Sequence, residues 1–211
     1  VIALKSPEVS FEDAASVPMA AVTALRAIRD KGQIKAGQSV LINGSGGGVG
    51  TFAVQIAKSF GAEVTAVCST RNLENSRAVG ADHLIDYTLE DFTTSGKKYD
   101  LIIAVNGYHP ILAYKRALNP GGRYVMTGGS GAQMAQAVFF GPWISMFGSR
   151  KMGVLTPVPN QDDLNIISEL LLTKKVVPAI DRRYPLSELG DAIAYLEEGH
   201  AQGKVIINVV G

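Results

Sequence analysis

A glycine-rich turn near residue 45 constrains the fold of this chain more than any other feature. The stretch SVLINGSGGGVGTFAVQIAKSFGAEVTAVCS, residues 39–69, starts with a short apolar run, passes through the glycines and continues with apolar residues at helical spacing. The last part, EVTAVCS at 63–69, is a second apolar run of strand length. A strand, a turn, a helix and a strand of this length predict a βαβ unit with parallel strands.

The same alternation continues along the chain. Before the turn, Ser10 predicts the start of a helix that runs to Arg29 with a disturbance at Pro18. After it, the patterns predict strands over 83–86, 99–105, 123–128, 176–180 and 204–210, and helices over 72–79, 110–118, 162–173 and 186–199. Strands separated by helices predict an α/β fold, a Rossmann-type doubly wound parallel sheet of about six strands with helices on both faces.

The glycine spacing indicates a cradle for a dinucleotide, although one position departs from the usual fingerprint. A three-glycine fingerprint ending at Gly50 would place glycine at 45, where this chain has serine. Gly47 still lets the backbone approach a pyrophosphate, and Gly50 permits close packing of helix against strand. Free amide groups and the positive end of the helix dipole would face the phosphates. We predict dinucleotide binding, with a purely structural turn as the alternative.

The end of the second strand indicates which dinucleotide would bind. Enzymes that use NAD place an acidic residue there for the ribose hydroxyls, but this chain reads CSTRN over 68–72. Ser69 and Thr70 offer hydroxyls and Arg71 offers a guanidinium, which together suit the 2′-phosphate of NADP(H). The alternative is a helix cap beside a solvated arginine. The sequence therefore predicts NADPH (NADP+) as the cofactor.

The composition excludes several other kinds of partner. The formal net charge is +1 with no long block of like charge, which argues against nucleic acid and against an acidic membrane surface. One cysteine and three histidines give no cluster at metal-ligand spacing, so no metal site is predicted and a reducing, cytoplasmic location is expected.

The most apolar stretch, 135–148, is interrupted by Gly141-Pro142 and is too short for a membrane span. Its aromatic residues Phe139 to Trp143 predict a pocket wall or an interface, with an ordinary core segment as the alternative.

Four stretches carry a resemblance to a known family. They are SFEDAASVPMAAVTALRAI, GQSVLINGSGGGVGTFAVQIAKSFGAEV, CSTRNLENSRAVGADHLIDY and IDRRYPLSELGDAIAYLEEGHAQGKVIINV. Together they resemble the medium-chain dehydrogenase/reductase superfamily, and within it the zinc-independent quinone oxidoreductase branch. The resemblance implies that residues 1–211 form an NADP-binding domain with a C-terminal return segment. It also implies an N-terminal, chaperonin-like catalytic domain that is absent from this chain, so the fragment alone is expected to be inactive.

The resemblance assigns cofactor contacts to particular residues. Thr23 would lie by the nicotinamide, and Tyr87 would cover the adenosine side. The pyrophosphate would meet Gly47, Gly48 and Val49, and the 2′-phosphate would meet Ser69, Thr70 and Arg71. Two pairs at carboxyl ends of strands, Asn106 with Gly107 and Thr127 with Gly128, complete the predicted cofactor site.

The chemistry implied by the resemblance is hydride transfer from NADPH to a small-molecule quinone or α,β-unsaturated carbonyl. Zinc-dependent relatives have a cysteine ligand where this chain has Met19, and a thioether is a poor zinc ligand. The alternatives are a zinc-dependent alcohol dehydrogenase and a non-catalytic NADPH-binding module. The catalytic residues stay unassigned, and the full-length enzyme is expected to be a homodimer.

Overall fold

A parallel sheet of six strands organises the described part of the chain, residues 1–156, 158 and 160–209 of a computed structural model. Its strands are β1 Ser39–Asn43, β2 Glu63–Cys68, β3 His83–Asp86, β4 Tyr99–Ala104, β5 Leu118–Met126 and β6 Lys151–Val154. Their order across the sheet is β3-β2-β1-β4-β5-β6. The chain first builds outward from β1 on one side and then crosses to β4 on the other. The boundary between β1 and β4 is therefore the point where the strand order reverses, which is where such folds bind ligands.

Helices cover both faces of this sheet, as the sequence predicts. The helices are α1 Phe11–Ser16, α2 Ala20–Arg26, α3 Gly48–Ser59, α4 Leu73–Ala78, α5 Ile111–Arg116, α6 Gly131–Phe147, α7 Gln161–Leu172 and α8 Leu189–Glu197. Alternate side chains of β1 pack into hydrophobic clusters on opposite faces of the sheet. Val40 and Ile42 pack towards α2, α3 and α7, whereas Leu41 packs towards α5 and α6. Burial on both faces explains why β1 reads as a continuous apolar run.

The predicted N-terminal helix is divided into two. Ser10 caps α1, since its Oγ accepts a hydrogen bond of 3.0 Å from the Asp13 amide. The helix is interrupted around Pro18, the position of the predicted disturbance, and a second helix, α2, follows. A π-helical turn, Ala27–Lys31, extends α2 beyond the predicted end at Arg29.

Residues 131–154 contain two elements that the sequence patterns do not predict. Helix α6 is apolar on nearly every side and contains Pro142, so it shows no helical periodicity. Strand β6 has only four residues and includes Gly153. They pack closely, because a Cβ on Gly141 would lie 2.7 Å from the Met152 carbonyl oxygen. β6 therefore supplies the sixth strand of the main sheet.

The strand predicted over 176–180 is wrong. Here the side-chain amide of Gln55 bonds both backbone groups of Val177, at 2.7 and 2.9 Å, and Pro178 has no N–H to give to a ladder. The strand that follows, β7 Ile180–Pro185, pairs in parallel with β8 Lys204–Asn208 in a separate two-stranded sheet. The predicted terminal strand agrees with β8 through residue 208, and its last residue, Val210, lies outside the described residues.

Candidate functional site

The glycine-rich turn joins β1 to α3. One side of the turn packs against the protein backbone, and the other side faces no protein atoms. Gly44 has a φ of +93°, in the left-handed region that favours glycine. A Cβ on Gly50 would lie 2.1 Å from the Gly44 carbonyl oxygen, so only glycine fits there. A Cβ on Gly47 would meet nothing within 4 Å. The backbone at Gly47 is therefore accessible to a ligand at the N-terminus of a 12-residue helix, the geometry of a phosphate cradle.

Ser45, which departs from the three-glycine fingerprint, does not obstruct the cradle. Its side chain is fully buried. The Oγ atom lies 2.9 Å from Ser76 Oγ and donates to the Val67 carbonyl over 3.3 Å. The serine therefore ties the turn to β2 and α4, on the side away from the open backbone of Gly47.

An open cleft of about 850 Å³ lies at the carboxyl ends of β1, β2 and β4. This volume is within the usual range of ligand pockets, about 300–1,000 Å³. Most of the predicted cofactor residues line it, namely Gly47, Gly48, Val49, Ser69, Arg71, Tyr87, Asn106 and Gly107. The structure thus brings together predicted residues that are separated by up to sixty positions in sequence. The other four, Thr23, Thr70, Thr127 and Gly128, do not belong to the described lining.

Thr70 is turned towards a carboxylate instead. Its Oγ1 donates to Asp86 Oδ2 over 2.5 Å, and Thr88 donates to the other oxygen of the same group over 2.7 Å. Hydrogen bonds from Thr70 and Thr88 hold the pKa of Asp86 below its usual range. A ligand in the cleft would therefore meet Ser69 and Arg71 before it met Thr70.

Arg71 is the cation of this part of the cleft. Its side chain is exposed, and no ion pair is found for it within the part of the chain that the structure describes. The Ser69 hydroxyl beside it accepts a hydrogen bond of 3.2 Å from the side-chain amide of Asn72. The acidic lining residues Glu90 and Asp91 come from the segment after β3, not from the end of β2. The end of β2 therefore offers a hydroxyl and a guanidinium, as the sequence predicts.

Lys204 adds a second cation that sequence reasoning missed. Its Nζ lies 3.6 Å from the place that a Cβ on Gly48 would take, beside the N-terminus of α3. Burial lowers the pKa of this half-buried lysine, and no carboxylate among the described residues offsets that effect. The ammonium and the positive end of the helix dipole together favour an anion at this position. A single lysine at the start of a C-terminal strand gives no sequence signal for such a contact.

Thr23, predicted beside the nicotinamide, and the predicted pair Thr127 and Gly128 lie outside the described lining of the cleft. Thr23 is buried within α2, with 6 % of its surface exposed. Thr127 donates both its amide and its hydroxyl to the Ala104 carbonyl, at 2.9 and 3.3 Å. Gly128 packs against β4, since a Cβ would lie 2.6 Å from the Val105 carbonyl oxygen. Their contacts with a cofactor stay predictions.

A buried polar network supports the floor of the cleft. Asn43, a lining residue, donates to the Tyr114 hydroxyl over 2.8 Å, and Gln133 donates to Tyr114 and Tyr124 over 3.3 and 3.1 Å. Burial raises the pKa of Tyr114 to about 12, so this phenol stays protonated at neutral pH. The network fixes the Asn43 side chain, 3.2 Å from where a Cβ on Gly107 would sit. Other lining residues that the sequence did not indicate include Tyr108, His109, Gly129, Gly199 and Ala201.

The described residues include neither a metal-binding cluster nor a membrane-spanning helix. They contain no group of three or more His, Cys, Asp or Glu side chains that could hold a metal ion. Among the same residues, every helix is too short or too polar to cross a membrane.

Comparison with known proteins identifies the family. Residues 79–207 match the family described as zinc-binding dehydrogenase. The chain belongs to this family. The zinc-binding dehydrogenases lie in the medium-chain dehydrogenase/reductase superfamily, so the resemblance seen in the sequence is confirmed.

Similar members of the superfamily include proteins named as quinone and alkenal/one oxidoreductases. The chloroplast envelope quinone oxidoreductase homolog of Arabidopsis thaliana is 33 % identical, over 98 % of this chain and 65 % of that protein. The chloroplastic NADPH-dependent alkenal/one oxidoreductase of the same plant is 32 % identical, over 98 % of this chain and 50 % of that protein. The solved quinone oxidoreductase of Coxiella burnetii is 31 % identical, with a TM-score of 0.87 over 99 % of this chain and 64 % of that one.

The chain spans less than two thirds of the length of each of these three relatives. The structural likeness confirms the Rossmann-type fold. Two of the names refer to the chloroplast, so the cytoplasmic location expected from the sequence stays a prediction.

Proposed function

We propose that this chain is the nucleotide-binding part of an NADPH-dependent oxidoreductase that reduces a quinone or an α,β-unsaturated carbonyl. The observation that carries the proposal is the open backbone at Gly47 in one cleft with Ser69 and the exposed cation Arg71. The names of the relatives support the acceptor class. The cofactor preference rests on this chain's own residues, since CSTRN has no acidic side chain for a ribose hydroxyl.

The residues present fit the proposed cofactor. The pyrophosphate would lie on the amides of Gly47, Gly48 and Val49, with Lys204 as a counter-charge. The 2′-phosphate would accept from Ser69 and Arg71, since a guanidinium suits bidentate phosphate recognition.

The remaining assignments are those that the resemblance implies. Tyr87 would cover the adenosine and Thr23 would lie by the nicotinamide, while the pairs Asn106 with Gly107 and Thr127 with Gly128 would contact the cofactor from the carboxyl ends of β4 and β5. The bound cofactor would supply the hydride, and the protein would supply alignment and exclusion of water.

The proposed reaction uses no catalytic metal. The position at which zinc-dependent relatives are expected to carry a cysteine ligand holds Met19, at the start of α2. Its side chain is exposed, and a thioether binds zinc poorly compared with a thiolate. An acceptor that is already electron-poor does not need a metal to polarise it, so a quinone or an enone is consistent with this position.

The proposal extends to the whole enzyme. A catalytic domain, implied by the family resemblance, would close the substrate cleft against this chain. The enzyme would be a homodimer, supported by helix α6, which exposes Phe139, Trp143 and Phe147 beside the outermost strand β6. Large exposed apolar patches usually mark an interaction surface.

Cofactor titration of the 211-residue chain by calorimetry tests the proposal. We expect NADPH to bind more tightly than NADH, because only NADPH offers a phosphate to Arg71. Arg71→Ala should weaken NADPH binding by about 10- to 100-fold, the range of a hydrogen bond to a charged group, and leave NADH binding nearly unchanged.

Arg77→Ala is the matched control, since it removes the same charge from an exposed position on α4 outside the cleft lining. It should preserve the preference for NADPH. Equal affinities of the unmodified chain for NADPH and NADH would reject the cofactor assignment.

A further inference from the structure

The loop between α8 and β8, residues 198–203, forms part of the wall of the cofactor cleft. Gly199 and Ala201 line the same cleft as Ser69 and Arg71, although they are more than a hundred positions away in sequence. This loop belongs to the unit that contains the separate two-stranded sheet. The cleft is therefore shared between the main sheet and the C-terminal unit.

Gln202 joins these two parts directly. Its side-chain Nε2 donates to the backbone carbonyl of Arg71 over 3.1 Å. Its own carbonyl accepts from the side-chain amide of Asn75, in α4, over 3.0 Å. One residue of the C-terminal loop thus contacts both the segment that carries Arg71 and the helix that follows it.

The loop that presents Gln202 is itself held firmly. The Gln202 amide donates to Asp181 Oδ2 over 2.9 Å, and the Tyr195 hydroxyl donates to the same oxygen over 2.6 Å. The Arg182 guanidinium stacks on the Tyr195 ring at 3.7 Å. A Cβ on Gly203 would lie 2.2 Å from the Ala179 carbonyl oxygen, which restricts the next position to glycine. Gln202 therefore extends from a rigid frame rather than from a free loop.

The segment that carries Arg71 is a single 3-10 turn, Thr70–Asn72, and its other hydrogen bonds act on the two residues that flank Arg71. The Thr70 hydroxyl donates to Asp86, and the Asn72 backbone amide donates to the Ser69 carbonyl over 2.8 Å. The Arg71 carbonyl receives its side-chain hydrogen bond from Gln202. The direction in which the Arg71 side chain leaves the backbone depends on how this peptide unit is held.

We propose that Gln202 is a positioning residue for recognition of the cofactor's 2′-phosphate. By fixing the Arg71 carbonyl to the C-terminal frame, it sets the direction in which the guanidinium enters the cleft. This inference rests on the proposed NADP function and deepens it. Discrimination between NADPH and NADH then depends on a residue that is 131 positions from Arg71.

A double-mutant cycle tests the role of Gln202. The affinities of NADPH and NADH are measured by calorimetry for the unmodified chain, Gln202→Ala, Arg71→Ala and the double variant. Gln202→Ala should weaken NADPH binding about three- to tenfold, the range of one net hydrogen bond, with NADH binding unchanged. In the Arg71→Ala background the same change should have no effect, because the group that Gln202 positions is gone.

Two further variants guard against misinterpretation. Gln202→Met keeps the length of the side chain but can neither donate to the Arg71 carbonyl nor add a charge, so it should lose about as much NADPH affinity as Gln202→Ala. Gln161→Ala, at an exposed glutamine that begins α7, should change neither affinity.

The outcomes separate this inference from the proposed function. Equal losses of NADPH and NADH affinity, or the same loss with and without Arg71, would overturn the role of Gln202 and leave the NADP assignment standing. An unmodified chain without preference for NADPH would overturn both.

Discussion

Gly47 and Gly50 are three residues apart in one turn but have opposite surroundings. We expect Gly50→Ala to lower the free energy of unfolding by about 1–3 kcal/mol, because its Cβ would overlap the Gly44 carbonyl and push α3 away from β1. Gly47→Ala is the matched comparison, since its Cβ would meet no protein atom within 4 Å. It should leave stability unchanged and weaken NADPH binding. Urea denaturation and cofactor titration of both variants measure these effects, and equal destabilisation by both would contradict the geometry.

For single residues, the sequence predicts the features that depend on residues close to one another along the chain. The spacing of Gly44, Gly47 and Gly50 indicates that the turn can approach a phosphate, because the strand, the turn and the helix follow one another directly in the sequence. The sequence cannot show that Ser45 faces Ser76, or that Lys204 reaches the N-terminus of α3. Those contacts depend on how distant segments pack, and neither residue has a distinctive pattern around it.

The Ser145 hydroxyl links helix α6 to strand β6. Ser145 Oγ accepts from the Met152 amide over 2.9 Å and donates to the Gly141 carbonyl over 2.7 Å. Ser145→Ala should lower the free energy of unfolding by about 1–2 kcal/mol, since it leaves a partly buried amide without this partner. Hydrogen exchange at the amides of 151–154 should accelerate. Ser149→Ala, at an exposed position next to β6, is the control, and equally fast exchange in both variants would exclude the proposed role of Ser145.

Among the elements, those with clear strand or helix spacing were predictable, the edge strand β3 included, whereas α6, β6 and β7 were not. β1, β2 and α3 have buried residues at clear strand or helix spacing, so their bounds in the structure agree with the sequence to within a residue or two. α6 lacks periodicity because its apolar surface is mostly uncovered. The segment at 176–180 looks like a strand, but a side-chain amide on α3 takes both backbone hydrogen bonds of Val177, and the strand begins only at Ile180.

In the whole molecule, the cleft draws on two separate sheets. The doubly wound sheet supplies the glycine turn and the ends of β2 and β4, whereas the unit of β7, α8 and β8 supplies the lining residues Gly199 and Ala201. The same unit places Lys204 beside Gly48, outside the described lining. The fold class follows from local alternation of strands and helices, and is confirmed. The cleft wall that carries Gly199 and Ala201 does not follow from this alternation, because it forms only when the C-terminal unit packs beside the first βαβ unit.

The uncovered face of α6 gives the prediction that belongs to the assembled molecule. Phe139, Trp143 and Phe147 are 70 %, 64 % and 76 % exposed, and Trp143 stacks on Phe147 with ring centroids 5.9 Å apart. If a second copy of the chain covers this face, the double variant Phe139→Ser and Trp143→Ser should shift the chain from dimer to monomer in analytical ultracentrifugation. Its thermal midpoint measured at low, monomeric concentration should stay nearly constant, since these side chains support little of the core.

Leu89→Ser is the control for that experiment, because Leu89 is a single apolar residue, 82 % exposed, in the loop after β3. It should leave the dissociation constant of the dimer unchanged. Dissociation should also follow mass action, so the unmodified chain should itself become monomeric on sufficient dilution. A monomer at all concentrations before any substitution would assign the aromatic face to another occupant and remove the support that α6 gives to a homodimer.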